Sequence, residues 1–275
     1  MASTAAAARK LSFEDARARV LAAAPALAAR LGVERVALDG ALGRVLAEPL
    51  VAREALPRFD NSGVDGYAVR AADVAGAPVR LSVIETVAAG HAPAHTVGRG
   101  QAALIMTGAP LPAGADCVVM RERTEEGAGE VRVLEALRAG ENVRPRGEDA
   151  AVGETLVPVG RVIGPGEIAA LATLGLAEVA VAVRPRIAVL STGDELKEPG
   201  EPLAPGQIYD SNSHAMAAAV VAGGCLLGEV WRVRDDAAVV AGALRELLAT
   251  HDVVLSLGGV SMGDFDPVKL AIAEI

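Results

Sequence analysis

The segment DVVLSLGGVSMGDFDPVKLA, residues 252–271, joins an apolar run to a glycine-rich loop and then to a stretch that begins near Pro267. The run DVVLSL is typical of a buried strand, and proline is common in the first turn of a helix. Gly258, Gly259 and Gly263 allow backbone N–H groups to approach a ligand closely. The segment therefore predicts a strand, a loop and a helix, and the loop either binds an anion such as phosphate or is an ordinary turn.

The spacing of this loop argues against two common nucleotide sites. It fits neither GxGxxG nor GxxxxGK[ST], so a dinucleotide fingerprint and a Walker loop are not supported. Ser261 adds a hydroxyl group to the backbone donors.

The chain from residue 186 onward alternates strand-like and helix-like stretches. IAVLS, LGEVWRV and DVVLSL are rich in apolar residues, and HAMAAAVVAGG and AAVVAGALRELLA separate them. This alternation predicts a mostly parallel sheet with flanking helices. Ligands of such sheets bind outside the carboxyl ends of the strands, so the residues after each strand are the candidates for a site.

Acidic residues follow all three predicted strands. They are Asp194 and Glu195 in TGDEL, which also contains Thr192 and Gly193, then Asp235 and Asp236, and finally Asp264 and Asp266. So many carboxylates would repel a bare phosphate, and Mg²⁺ bound by one or two of them would resolve the conflict. The alternative is that most of them are solvated caps at helix N-termini. The segment DSNSHAM, residues 210–216, offers Asp210, Ser211, Asn212 and Ser213 either as helix caps or as ligand donors.

The first part of the chain has a different pattern. SFEDARARVLAAAPAL predicts an amphipathic helix with Ser12 as its N-cap and an interruption at Pro25. Residues 48–145 contain short strand-like runs such as VRLSVIETV and EVRVLEAL between Gly/Pro turns, which favours an inserted β-rich module. A helix starting near Pro165 and a following strand return the chain to helix-bearing structure.

Composition limits the function. A net charge of -9 and an aromatic content of 2% disfavour a protein that binds nucleic acid by phosphate contacts or base stacking. No apolar stretch is typical of a membrane helix or a signal peptide, so we expect a soluble cytoplasmic protein without membrane contact. Cys117 and Cys225 have no metal-site spacing and are interpreted as small buried apolar residues.

Six motifs in order resemble the molybdopterin molybdenumtransferases, the MoeA-like molybdenum insertases related to the E domain of gephyrin. They are PRFDNSGVDGYAVRAAD (57–73), IMTGAPLPAGADCVV (105–119), RPRGEDAAVGETLVPVGRVIGPGEIAALATLG (144–175), VLSTGDEL (189–196), GQIYDSNSHAM (206–216) and SLGGVSMGDFDPVK (256–269). The resemblance implies a multidomain α/β protein. Residues 1–47 plus 146–185 would form an elongated dimerising domain, 48–145 an inserted β-rich domain, and 186–275 a mostly parallel molybdopterin-binding domain.

The resemblance also implies a reaction, the insertion of molybdate into adenylylated molybdopterin with Mg²⁺-dependent hydrolysis of the adenylate and release of AMP. The implied catalytic residues are Asp65, Thr107, Asp149 and Glu195. The implied cofactor-binding residues are Thr192, Gly193, Ser211, Asn212, Gly258, Gly259, Ser261, Gly263 and Lys269, and the implied metal ligands are Asp235, Asp236 and Asp266. Without the family, Asp65–Gly66 reads as a turn, Thr107–Gly108 as a strand end and Lys269 as a solvated lysine.

The resemblance further implies a homodimer with the cleft between one subunit and the insertion of the other, and it makes a molybdopterin adenylyltransferase of the same pathway a candidate partner. The family's chain normally continues past this point, so a truncated ligand-binding domain is expected. Leu257 stands where the family often has a small or hydroxylated residue. The rival hypotheses are a binding or scaffold module without turnover and an adenylyltransferase that shares only the last domain.

Overall fold

A computed structural model describes residues 11–258 and 267–275. The helices in chain order are α1 Phe13–Leu31, α2 Ala71–Val74, α3 Pro165–Thr173, α4 Ser211–Ala222, α5 Ala237–Thr250 and α6 Pro267–Glu274. The strands are β1 Val33–Ala37, β2 Leu50–Val51, β3 Asn61–Ser62, β4 Gly66–Val69, β5 Val79–Val87, β6 Gln101–Ile105, β7 Cys117–Met120, β8 Thr124–Glu126, β9 Glu130–Val133, β10 Val143–Arg144, β11 Thr155–Val157, β12 Glu178–Ala182, β13 Arg186–Thr192, β14 Leu196–Lys197, β15 Ile208–Tyr209, β16 Leu226–Val233 and β17 Val253–Leu257.

The chain divides into two compact units. The α/β unit comprises the described residues within 1–48, 160–168 and 177–275, and the β-rich unit comprises 49–159 and 169–176. The three domain ranges expected from the sequence stay a prediction.

The α/β unit contains the parallel sheet that the sequence predicts. Its strand order is β16-β13-β17, and both pairs are parallel. Leu190 of β13 packs with Leu244 and Leu247 of α5 and with Val268 of α6 in the core that covers one side of the sheet. Burial of such apolar surface stabilises the sheet and so holds the ends of its strands in place.

A histidine closes an irregularity in this sheet. The register between β13 and β16 shifts near Gly228 and Glu229, and the Glu229 N–H donates to Nε2 of the buried His251. Nδ1 of His251 lies 3.0 Å from the Leu247 carbonyl oxygen. Both ring nitrogens therefore have partners within the fold, because Nδ1 can donate while Nε2 accepts.

The β-rich unit is built on a six-stranded sheet of order β7-β4-β6-β5-β9-β8. Strand β5 coincides with the predicted VRLSVIETV, and β5 and β6 are parallel while the other pairs are antiparallel. Tyr67, Val119 and Val131 pack on one face, and Val87, Ile105 and Val118 pack on the other. Gly66 is required because an added Cβ would overlap the Val119 carbonyl oxygen.

Helix α1 differs from its prediction. It runs through Pro25 to Leu31, so the expected interruption at Pro25 was wrong. Proline removes one backbone N–H, and the alanines on both sides are the strongest helix formers. Ser12 caps the helix as predicted, since its Oγ accepts from the Asp15 N–H.

Among the described residues, none of the helices has both the length and the apolar character of a membrane span. Cys117 lies buried in the β-rich unit, where burial and the charge of Asp116 raise the pKa of its thiol to about 12.

Candidate active site

The carboxyl ends of β13 and β17 meet as the sequence predicts. Ser191 is in register with Leu257, so Thr192 and Gly258 follow side by side. A Cβ added to Gly258 would lie 2.8 Å from the Thr192 carbonyl oxygen and 3.2 Å from its hydroxyl oxygen. Gly258 also has a φ of +85°, a left-handed conformation that favours glycine. The neighbouring strand and the backbone conformation therefore both require glycine at position 258.

Thr192 carries a buried hydroxyl group at this edge. The residue is 5% exposed, and its Oγ1 has no hydrogen-bond partner within residues 11–258 and 267–275. Buried hydroxyl groups are normally hydrogen-bonded, because an unpaired one loses its interaction with water. The unpaired oxygen is therefore a candidate for a hydrogen bond with a ligand atom.

The TGDEL segment folds over the same strand end. Gly193 donates its N–H to the Val233 carbonyl oxygen of β16 at 3.3 Å. A Cβ on Gly193 would lie 2.7 Å from a carboxylate oxygen of Glu195, which is exposed. The Glu195 carboxylate therefore lies close to the backbone of Gly193, the residue that follows β13.

The two aspartates after β16 differ from each other. Asp236 is the N-cap of α5, and its Oδ1 accepts from the N–H groups of Ala238 and Val239. Asp235 is exposed, and its carboxylate has no partner among the residues described. Asp235 is thus the better placed of the two to bind a cation, while the metal role of both stays a prediction.

Ion pairs that the sequence analysis missed connect strands β13 and β16 near this edge through Asp210 and Arg232. The buried Asp210 accepts from the Ser191 hydroxyl at 2.8 Å and from the Ser213 N–H at 3.0 Å. Burial opposes the ionisation of Asp210, but these hydrogen bonds and the charge of Arg232 outweigh it and lower its pKa. Arg232 lies 4.0 Å from Asp210 and 3.4 Å from Glu198. An arginine near the carboxyl end of the mostly apolar strand β16 is the signal that could have revealed its ion pairs.

The remaining residues predicted for this edge fall into two groups. Ser211 and Asn212 are exposed in the first turn of α4, and Lys269 is exposed on α6. Gly259, Ser261, Gly263 and Asp266 lie outside the described residues. Within the described ranges, no group of three or more His, Cys, Asp or Glu side chains is arranged to hold a metal ion.

The β-rich unit brings Asp65 and Thr107 together. Both the amide and the hydroxyl of Thr107 donate to Oδ1 of Asp65, at 2.7 Å and 2.8 Å. These two bonds, together with the charge of Arg121, lower the pKa of Asp65 against a smaller effect of burial. Asp65 is therefore held as a carboxylate with one oxygen already occupied.

Asp149 is held by an arginine that the sequence did not single out. Nη2 of Arg144 donates to both carboxylate oxygens of Asp149 at 2.7 Å, and its Nε donates to Glu148 at 3.0 Å. The Asp149 and Glu148 carboxylates raise the pKa of Arg144. Arg144 lies on β10, which pairs with β3. Strand β3 ends at Ser62, three residues before Asp65. The motif RPRGED contains both Arg144 and Asp149, but it did not predict that their side chains form hydrogen bonds.

These features define a protein with a parallel α/β ligand-binding sheet and a β-rich unit that carries acidic and hydroxyl side chains. Two family models cover nearly all of the chain: the MoeA N-terminal region (domain I and II) matches residues 11–175, and the probable molybdopterin binding domain matches residues 188–275. The chain therefore belongs to the MoeA family.

Relatives agree with this assignment. The chain is 43% identical over 243 residues to molybdopterin molybdenumtransferase 2 of Mycobacterium tuberculosis, a match that covers 87% of this chain and 60% of the relative. It is 40% identical to the molybdopterin molybdenumtransferase of a Nostoc species, over 91% of this chain and 58% of the relative. The chain thus spans about 60% of the length of the curated relatives it matches.

Solved structures give the same result. A molybdopterin biosynthesis MoeA protein from Pyrococcus horikosii matches with a TM-score of 0.78 and 37% identity, covering 89% of this chain and 62% of that one. The fold expected from the sequence is confirmed.

Proposed function

We propose that this chain carries out the molybdenumtransferase reaction of molybdenum cofactor biosynthesis. Molybdate would enter the dithiolene of adenylylated molybdopterin, and water would cleave the adenylate to release AMP. The observation that carries the proposal is the buried Thr192 hydroxyl beside Gly258, which has no partner among the described residues and lies at the edge where a parallel sheet binds ligands. The names of the relatives support it.

The proposed roles are divided between binding of the ligand and hydrolysis. Thr192, Gly193 and Gly258 would hold a phosphate group of the ligand, with Ser211, Asn212 and Lys269 as further binding groups. Gly259, Ser261 and Gly263 would complete the loop. Glu195 would support hydrolysis by orienting water, since its carboxylate is exposed at the edge.

In the β-rich unit, Asp65 is kept ionised by Thr107, and Asp149 is oriented by Arg144. We propose that both carboxylates act on the reacting groups.

Mg²⁺ fits the donors at this edge only in a limited way. Asp235 offers a carboxylate without a partner in the described ranges, while Asp236 is engaged as a helix cap. Mg²⁺ needs only one or two carboxylates when the substrate supplies phosphate oxygens and water fills the rest. Asp235, with Asp236 and Asp266 as the other predicted ligands, would hold the ion, which would offset the charge of the substrate phosphates.

A homodimer is the proposed assembly, and α1 supports it. None of the residues of α1 is buried, and Phe13, Val20 and Leu21 are 78%, 72% and 53% exposed. A neighbouring group of exposed apolar side chains on one helix is typical of an interaction surface. Val20→Asp should therefore weaken self-association measured by sedimentation, whereas the exposed Arg17→Asp substitution should have a smaller effect. A cytoplasmic location and a partnership with a molybdopterin adenylyltransferase stay predictions.

The test is a turnover assay. The folded chain is incubated with adenylylated molybdopterin, Mg²⁺ and molybdate, and released AMP is measured beside a Glu195→Ala variant. Molybdate-dependent release that falls by about tenfold or more in the variant is expected, because Glu195 would orient the attacking water. Equal release by the two proteins would contradict the role of Glu195.

A second candidate function is a module that binds molybdopterin or a protein partner without turnover. The exposed apolar surface of α1 favours it, since such a surface supports assembly whether or not catalysis occurs. Binding of adenylylated molybdopterin without AMP release would support this module and reject the enzyme. Formation of the adenylate from ATP would instead indicate an adenylyltransferase.

A further inference from the structure

A cavity lies at the opposite edge of the parallel sheet from the candidate active site. Its volume is about 610 Å³, within the usual range for sites that bind small molecules. Pro185 and Cys225 line it, and they directly precede β13 and β16. The cavity is therefore at the amino ends of these strands, whereas Thr192 and Gly258 are at the carboxyl ends. Its other walls are the second half of α1 and the turn Gly43–Val45.

A buried arginine lines this cavity. Arg44 is only 8% exposed, and its Nη2 donates to the Glu34 carboxylate and, at 2.9 Å, to the Ala182 carbonyl oxygen. Its Nε is buried and has no partner in the described part of the chain. A buried guanidinium donor without an acceptor is costly, so an anion bound close to Arg44 would stabilise its charge.

A second arginine lines the same cavity. Nε of Arg184 is also buried without a partner in the ranges 11–258 and 267–275. No described acid forms an ion pair with Arg184, and Glu34 is already paired with Arg44. Of the two guanidinium groups, only that of Arg44 is paired with a carboxylate of the described residues. The local excess of positive charge favours the binding of an anion.

Most of the other lining residues are apolar, which favours a ligand with an apolar part. Leu27 and Leu31 of α1 contribute side chains, and Val162 and Val45 do so from the facing bridge. A small inorganic anion would leave these walls in contact with water. A guanidinium group pairs well with a planar carboxylate, which can accept two parallel hydrogen bonds.

We propose that this cavity binds a small amphipathic carboxylate. Its carboxylate accepts from Arg44 and Arg184, and its apolar chain packs against Leu27, Leu31 and Val162. The site is separate from the proposed molybdenumtransferase chemistry and does not depend on it.

Calorimetric titration of the full chain with octanoate tests the proposal. Octanoate is expected to bind, while octanol, which lacks the charge, and acetate or inorganic phosphate, which lack the chain, bind at least about tenfold more weakly. Arg184→Gln should weaken octanoate binding by about tenfold, because it removes a charged donor. Val162→Asp, at a position that is 56% exposed, should weaken it through charge repulsion without unfolding the protein.

The matched control is Arg35→Gln. Arg35 pairs with Glu178 on the strand pair β1 and β12 but does not line the cavity, so this variant should bind octanoate like the original chain. The proposal is overturned if octanoate does not bind, or if Arg184→Gln and Val162→Asp bind it as well as the Arg35→Gln control. Octanoate binding is also compared between samples that sedimentation shows to be monomeric and samples that it shows to be dimeric. Binding to the monomer alone would overturn the proposal, since a second copy of the chain would then occupy the cavity.

Discussion

Thr107 donates two hydrogen bonds to a single oxygen, Oδ1 of Asp65. The bonds come from its amide and its hydroxyl, so the turn after β6 and the side chain of Asp65 hold each other in place. The family resemblance implied that both residues are catalytic, and without it they read as part of a turn and the end of a strand. Their contact gives both residues a second role, since it stabilises the ionised form of Asp65.

Replacing Thr107 by Val should raise the pKa of Asp65 toward its ordinary value of 3.8, because the hydroxyl bond is lost while the amide bond remains. A lowered pKa in the folded state stabilises the protein above the pKa of the unfolded state. The advantage of the original chain over Thr107→Val should therefore be complete above about pH 4 and be lost as the pH falls through the folded pKa. Carbon-detected NMR titration of the Asp65 carboxyl measures the shift, and an unchanged pKa would show that the hydroxyl bond is unimportant.

Arg144→Gln should release Asp149 from its bidentate contact and lower AMP release by roughly tenfold to a hundredfold, because a carboxylate that is no longer oriented reacts less often. The loss should appear mainly in kcat. Arg132→Gln is the control, since Arg132 forms a comparable exposed pair with Glu125 on the six-stranded sheet. Similar losses in the two variants would indicate a general effect of removing a surface charge.

Gly66→Ala should destabilise the β-rich unit by about 3 kcal/mol or more, because the added methyl group would overlap the Val119 carbonyl oxygen and force β4 away from β7. Gly76→Ala is the control, since no atom lies within 4 Å of the position of its added Cβ. Urea unfolding of both variants measures the difference. Equal stability of the two would mean that β4 and β7 can separate without cost.

Gly228→Ala should destabilise the α/β unit by about 1–3 kcal/mol, because the new methyl group would occupy the position of the His251 ring. The ring would have to move and leave the Glu229 N–H without its acceptor. Gly242→Ala, in an open position of α5, should instead stabilise the protein by about 0.5–1 kcal/mol. Thermal unfolding compares the two, and a stabilised Gly228→Ala would refute the packing described for His251.

Gly258→Ala should weaken the binding of adenylylated molybdopterin by at least about tenfold. The new Cβ would lie 2.8 Å from the Thr192 carbonyl oxygen, and the φ of +85° is unfavourable for alanine. Gly200→Ala has a similar positive φ of +98° but open space around its Cβ, so it separates backbone strain from the effect on the site. Calorimetric titration of the ligand should show normal binding for Gly200→Ala. Equal weakening in both would assign the effect to strain alone.

Much of the fold was predictable because it depends on local patterns. β-branched runs predicted β5, β13 and β17, and the position of Pro267 predicted the start of α6. The local errors include Pro25, because a single proline does not outweigh a helix of alanine, leucine and arginine, and Cys225, which is only partly buried. Residue types after each strand also predicted the edge at which Thr192 and Gly258 meet.

The sequence by itself therefore determined the family, the parallel sheet and the edge of the candidate site, since these follow from the order of motifs and from hydrophobic periodicity. Only the tertiary structure decided which side chains hold the acids: Arg144 for Asp149, Thr107 for Asp65 and Arg232 for Asp210. It also decided that Asp236 caps a helix and that Arg44 and Arg184 line one cavity. The physical reason is that hydrogen bonds and ion pairs depend on distances of a few ångströms between particular atoms, whether the residues are 5 positions apart, as Arg144 and Asp149 are, or 42 apart, as Asp65 and Thr107 are. The order of residue types does not record those distances.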